Sequence, residues 1–408
     1  MGVTRGKDFT PKPKAPREAG IEALLDGKVY DTPEGAFFEV SHTYPPDTAR
    51  GPAILEEWLD LDPAILASIG NLDARTLPNL HNFAFLDTET TGLGGAGAIP
   101  FMIGVGLFTE DGAFEVRQFF MRDPSEEPAL LAYLNQLIPD DYALVTFNGR
   151  TFDVPLLAGR YLLSRKKTHL AQLANLDLLS PARRLWQRRL PSCALGSLEA
   201  DILGIRRTHA DVPGSMIPYL YTQYLQTGDA HEMARVFYHN EQDIVSMVVL
   251  AAIISRIFAQ PDLPNLPIED RLSMARWYDH KDMIAEAETA YRLALDEAPD
   301  AETRHLALSS YAAMLKRLDR RHEARPLWED LADLKLDVSG FEELAKYYEW
   351  HQVEITIAVR WTEQGIAVAE SWRQGIRRVE ALATLSHRLT RLTRKLNGTS
   401  DGSLPEED

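Results

Sequence analysis

Between residues 81 and 147 the apolar positions fall in short runs punctuated by turn formers, which is the spacing of strands. Asn82–Leu86 runs straight into Asp87 and predicts a buried central strand. Pro100–Phe108 predicts a second strand, and Phe114–Phe120 alternates as a third. Ala129–Ile138 reads as a helix and Tyr142–Phe147 as another buried strand. Helical segments follow from Val154 to the apolar helix beyond Asp243. The longest apolar stretch there, Ile244–Ile254, is about eleven residues long and includes Ser246, too short to span a bilayer. Strands followed by alternating strands and helices predict a mixed α/β sheet with flanking helices.

Ala259–Pro267 carries three prolines in nine residues and marks a linker. Beyond it the pattern is helical throughout, and it repeats. Ala287 with Tyr291, Ala324 with Trp328 and Ala358 with Thr362 recur at spacings of 37 and 34 residues. Each pair follows another amphipathic stretch, marked by Met274/Tyr278, Tyr311/Leu315 and Leu344/Tyr348. A small residue with a large one four positions on lets paired helices interlock, and a period near 34 suits a tetratricopeptide-like array or generic helical hairpins. The expected organisation is a leader and accessory region over 1–80, an α/β domain over 81–260, helical repeats over 261–396 and an acidic tail over 397–408. Ile54–Ile69, within the accessory region, has helical spacing but suggests no chemistry.

Composition narrows the class. Hydrophobic residues are 45% and charged residues 25% of 408, the profile of a globular protein. The single cysteine, Cys193, excludes a disulfide framework and a multi-cysteine zinc site, and it fits a reducing cytoplasm. Met1–Pro16 is polar and basic, unlike a secretory signal. The net charge of −17 argues against a polyanionic partner only on average. Residues 150–210 hold eleven Lys and Arg against four Asp and Glu. A local basic surface binds phosphates within a screening length of about 10 Å whatever the rest of the chain carries. The bland alternative is a solvated helix face.

Three short motifs carry the candidate chemistry. Asp87 and Glu89 end the first strand at i and i+2, so both carboxylates share one face. Such a pair repels unless a cation neutralises it, and hard divalent ions such as Mg2+ or Mn2+ take oxygen ligands of this kind. Asp153 opens a helical segment after Asn148 and Phe152, where its simplest role is a helix cap. His239 and Asp243 stand at i and i+4 on a helix, hence side by side. Asp177 reads as the cap of the helix bearing Arg183 and Arg184. Gly94, Gly95 and Gly97 precede a strand rather than a helix, so they do not form a phosphate loop and are read as letting substrate backbone approach.

Taken in order, these motifs resemble the ribonuclease-H-like 3′→5′ exonucleases named for four acids, Asp-Glu-Asp-Asp. More narrowly the chain is similar to the YprB-like group, which joins such a domain to tetratricopeptide repeats. The segments Asp177–Trp186, Leu190–Leu198 and Asp211–Pro218 look like that group's intermotif segments. The resemblance implies two divalent cations, Mg2+ or Mn2+, held by Asp87, Glu89, Asp153 and Asp243. It also implies a base beside the last acid. His239 lies four residues before Asp243, the spacing of the family's tyrosine subtype, and Tyr238 five before, the spacing of its histidine subtype, so the base is His239 or Tyr238. Imidazole, with an ordinary pKa of about 6.5, is the better proton acceptor near neutrality. Asn148, Arg183, Arg184, Arg188 and Arg189 are the expected nucleic-acid contacts, with Phe152 or Trp186 stacking a base at a single-stranded 3′ end. The repeats imply a protein partner, and no membrane is involved. The competing reading is a scaffold whose nuclease-like domain binds nucleic acid without cleaving it.

Overall fold

The computed structural model describes residues 20–92, 97–208 and 210–400, with no account of the side chains of 398–400. The glycine-loop reading falls largely on 93–96, outside the described residues. The chain forms two compact units that divide after Gln260, at the proline-rich linker.

The first unit is built on a seven-stranded mixed sheet. In chain order its strands are β1 (Gly27–Thr32), β2 (Gly35–Tyr44), β3 (Phe83–Thr90), β4 (Pro100–Phe108), β5 (Phe114–Phe120), β6 (Ala143–Thr146) and β7 (Asn175–Asp177). Their spatial order is β1-β2-β5-β4-β3-β6-β7. The first five pair antiparallel, while β6 and β7 extend the sheet in parallel from β3. β3 is therefore central, and its apolar half, Phe83–Leu86, is buried on both faces. On one face Phe83 and Phe85 meet the Trp58 ring edge-on at 5.2 and 4.9 Å. On the other, Ala84 and Leu86 join the main core with Leu144 and Leu157.

Two sequence expectations change. Residues 1–80 were expected to stand apart from the α/β domain, but β1 and β2 belong to its sheet. Phe37 and Phe38 of β2 are fully buried, and Phe37 packs edge-on against Phe119 of β5 at 5.8 Å. That partner lies far along the chain, so local patterning does not announce it. The helix expected over Ile54–Ile69 splits into a 3-10 turn, Leu55–Asp60, and an α-helix, Pro63–Gly70. The break falls where Asp62 caps the Ala64 N–H and Pro63, lacking an N–H, opens the new helix.

The longest helix of this unit, His231–Ala259, has the length and composition to cross a membrane, yet most of its apolar stretch is buried inside the protein. It is the continuous helix that contains Ile244–Ile254.

The second unit is helical: Ile268–His280, Ile284–Asp296, Ala301–Arg317, Arg321–Leu334, Ser339–Trp350, Ile355–Ser371 and Ile376–Ser400. Ala287, Ala324 and Ala358 are fully buried, as their repeat positions require, and Tyr291, Trp328 and Thr362 are buried beside them. The last helix continues to Ser400, past the expected boundary at 396; residues 401–408 lie outside the described residues.

Candidate active site

The site is assembled at the C-terminal end of β3. Asp87 pairs in register with Gly104 of β4, and Glu89 with Met102. A Cβ on Gly104 would overlap Asn240 Oδ1 and Ile244 Cδ1, so glycine lets the long helix settle onto the sheet at this point. Asn240 can then donate from Nδ2 to Asp87 Oδ2 at 2.8 Å. The other end of the same amide accepts from Gln118 Nε2 at 2.9 Å, and Gln118 also donates to the Phe237 carbonyl at 2.8 Å. Two buried amides thus fix the orientation of the Asp87 carboxylate.

Asp153 arrives from the neighbouring crossover. The helix begins at Asp153 itself and the capping position is Phe152, whose side chain accepts nothing, so the cap reading of Asp153 is not upheld. Its carboxylate is buried and accepts a hydrogen bond from Thr88 Oγ1. The preceding loop is held by Asp177, which accepts backbone N–H groups from Asn148 (2.9 Å), Arg150 (3.1 Å) and Leu179 (3.1 Å). The Leu179 bond satisfies the first N–H of the helix Leu179–Trp186, but the capping position there is Leu178, so Asp177 supports the helix start from one residue before the cap.

The long helix brings in Asp243 and His239. Nε2 of His239 lies 3.7 Å from Asp243 Oδ2. Nδ1 lies 2.7 Å from Asp211 Oδ1 and 3.2 Å from Arg207 Nη1; the shorter contact, to the carboxylate, favours the proton on Nδ1, donated to Asp211, which leaves Nε2 with its lone pair. Tyr238 turns instead to the backbone, its hydroxyl accepting the Thr208 N–H at 3.3 Å. Arg207 completes the group, bonded to Asp243 and, through Nε at 2.7 Å and Nη2 at 2.9 Å, to the buried Glu199.

The acids feel one another. Burial, followed by the charges of Asp243 and Asp153, pushes the Asp87 carboxyl well above the usual range. Burial and then Asp87 do the same to Glu89. Burial lifts Asp153 to about 6 against the opposing Thr88 hydrogen bond. Asp243 is raised by burial, with Arg207 pulling the other way. Burial works against the charge of Arg207, but Glu199 and Asp243 outweigh it and hold the guanidinium more firmly charged.

Among the described residues, no three His, Cys, Asp or Glu side chains close on one point as a ready-made metal cage. The donor set nevertheless suits hard divalent cations. Asp87, Glu89, Asp153, Asp243 and Glu199 share the charge of Arg207, a deficit of positive charge in a buried place. Asp87, Glu89, Asp153 and Asp243 are the residues that would hold such ions.

The expected nucleic-acid contacts divide. Asn148, Arg183 and Arg184 line a cleft of about 420 Å³ together with Arg150, Thr151 and Gln187. Arg188 and Arg189 follow the end of that helix and do not line the cleft. Phe152 is half-buried at the head of its helix, and Trp186 is buried in the core, so Trp186 cannot stack a base. Sequence reasoning missed Gln118, Glu199, Arg207, Asp211 and Asn240. Asn240 sat inside the His239–Asp243 motif, and Arg207 had been counted only as surface charge.

Residues 84–255 match the RNase_H superfamily. Over 299 residues the chain is 34% identical to "Uncharacterized protein YprB" of Bacillus subtilis (strain 168), covering 71% of this chain and 70% of that protein.

Proposed function

The chain belongs to the family of YprB within the ribonuclease H superfamily, and from that premise we propose that it is a metal-dependent 3′→5′ exonuclease acting on nucleic acid. The observation that carries this reading is the convergence of four carboxylates, from β3, the helix Asp153–Leu163 and the long helix, with His239 beside the last of them. Mg2+ or Mn2+ ions held by Asp87, Glu89, Asp153 and Asp243 would supply Lewis acidity and neutralise charge on the reacting phosphate. His239 accepts the proton of the attacking water at Nε2, since Nδ1–H is committed to Asp211. Gln118 and Asn240 keep Asp87 aimed. The cleft bearing Asn148, Arg183 and Arg184 holds strand phosphates, and Phe152, half-buried at the head of its helix, flanks the terminal nucleotide. The helical pairs of the second unit form a tetratricopeptide-like array for a protein partner.

The deciding experiment incubates the chain with 5′-labelled single-stranded DNA and RNA in Mn2+, beside Asp243→Asn. Stepwise shortening from the 3′ end by wild type, with almost none from a folded Asp243→Asn, is the expected result. Equal turnover by the two proteins would overturn the assignment.

A further inference from the structure

The guanidinium of Arg207 bridges two unlike acids, Glu199 and Asp243, with Nη1 also 3.6 Å from Asp211 Oδ1 and 3.2 Å from His239 Nδ1. Toward Glu199 it makes a two-pronged bond, Nε to Oε2 at 2.7 Å and Nη2 to Oε1 at 2.9 Å. Glu199 is 1% exposed, and its Oε1 also accepts from Ser246 Oγ at 2.5 Å, so this end is closed. Toward Asp243 the same Nη2 makes a single bond. Asp243 keeps 18% of its side chain exposed, and with Arg207 and His239 it lines a cleft of about 630 Å³ that also touches Gly196, Pro213 and Gly214. A small ion reaching Asp243 through this cleft finds Oδ1 already engaged by Nη2, with Oδ2 3.7 Å from His239 Nε2.

We propose that Arg207 is a built-in counter-ion, docked permanently on Glu199 and exchangeably on Asp243, which a divalent cation must displace in order to bind. The inference rests on reading Asp243 as a cation ligand, and it adds the device that sets how tightly the cation is held. While the cation is away, Arg207 offsets the repulsion among the buried acids. When the cation arrives, the Glu199 fork keeps the guanidinium from leaving, and only the Asp243 bond is exchanged. Charge-assisted hydrogen bonds of this kind are strong enough to matter in that competition.

The test is Mn2+ titration calorimetry on the full chain, without nucleic acid, for wild type, Arg207→Gln, Asp243→Asn and the double variant. Arg206→Gln, on the exposed neighbouring residue that lines the same cleft, is the control for general loss of positive charge. Arg207→Gln should bind Mn2+ at least about tenfold more tightly, the worth of one charged hydrogen bond. Arg206→Gln should stay within about twofold of wild type, and the Arg207→Gln gain should vanish in the Asp243→Asn background, as expected of directly coupled groups. In chelator Arg207→Gln should melt below wild type, and saturating Mn2+ should narrow the gap. If Arg207→Gln does not fold, Arg207→Lys keeps the charge without the fork and should also bind Mn2+ more tightly than wild type. Unchanged or weaker affinity, or a gain that persists without Asp243, overturns the proposal. Wild type that shows this binding pattern yet hydrolyses no nucleic acid would sink the nuclease reading and leave the role of Arg207 standing.

Discussion

His239 has two nitrogens with different neighbours, and that difference is testable at one atom. Asp211 takes the Nδ1 proton at 2.7 Å, leaving Nε2 toward Asp243. An amide at 211 can donate to Nδ1 and so favour the opposite tautomer, with the proton on Nε2. Asp211→Asn should therefore cut turnover by about 100-fold or more, with helical content and Mn2+ affinity close to wild type. Tyr238→Phe should do far less, because that hydroxyl is turned to the Thr208 backbone; the reverse ranking would move the base to Tyr238. Asp153 gives a second prediction. Its folded pKa of about 6 stands above the ordinary 3.8, so the fold favours the protonated acid. That stabilising contribution is full below the ordinary pKa and is lost as pH rises through about 6. In chelator the melting temperature should fall between about pH 4 and pH 7, and Asp153→Asn should flatten the fall and gain on the order of 2 kcal/mol at pH 8. A thermal melt series across pH checks both. The four acids and His239 were legible in the sequence because motif order and i, i+2 or i, i+4 spacing bring them out. Arg207, Glu199 and Asp211 were not, because their partners lie on other elements and a charge count gives all three the look of surface residues.

Among the elements, the contact of the long helix with β4 carries the most consequence. Gly104 leaves no room for a side chain beneath Asn240 and Ile244. Asn240 cannot step aside cheaply, since Gln118 and Asp87 hold both ends of its amide. Gly104→Ala should cost about 1–3 kcal/mol in urea unfolding and lower Mn2+ affinity with it. Adding Asn240→Ala restores the space but not the bond to Asp87, so stability should partly recover while affinity stays low. Recovery of both would show that Asn240 does not orient the acid. β3, β4 and β5 were readable from their own apolar runs, because central strands are buried on both faces. The hairpin β1–β2 was not: charged residues interrupt its apolar positions, and its burial is supplied by Phe119, on a strand made much later.

At the scale of the whole molecule, the two units divide after Gln260. A chain ending there, with residues 20–260, should fold and bind Mn2+, whereas 81–260 should not. The shorter piece strips β1 and β2 from β5 and bares Phe119 and Phe120, which the sheet otherwise buries. Circular dichroism melts and gel filtration of both fragments check this; a cooperative melt from 81–260 would mean the hairpin is dispensable. The contact between Asn240 and Asp87 spans 153 residues of sequence, and that between Thr88 and Asp153 spans 65. Closures so distant come late in folding, after local helices and hairpins have formed. During synthesis Asp87, Glu89 and Asp153 leave the ribosome long before Asp243, so until the long helix is made the first three acids lack the fourth. Their mutual strain, and whatever affinity for cations it creates, comes into being only when the long helix locks down. A divalent ion that needs all four acids is then blind to every partly folded form, and by binding only the finished structure it draws the chain toward it by mass action.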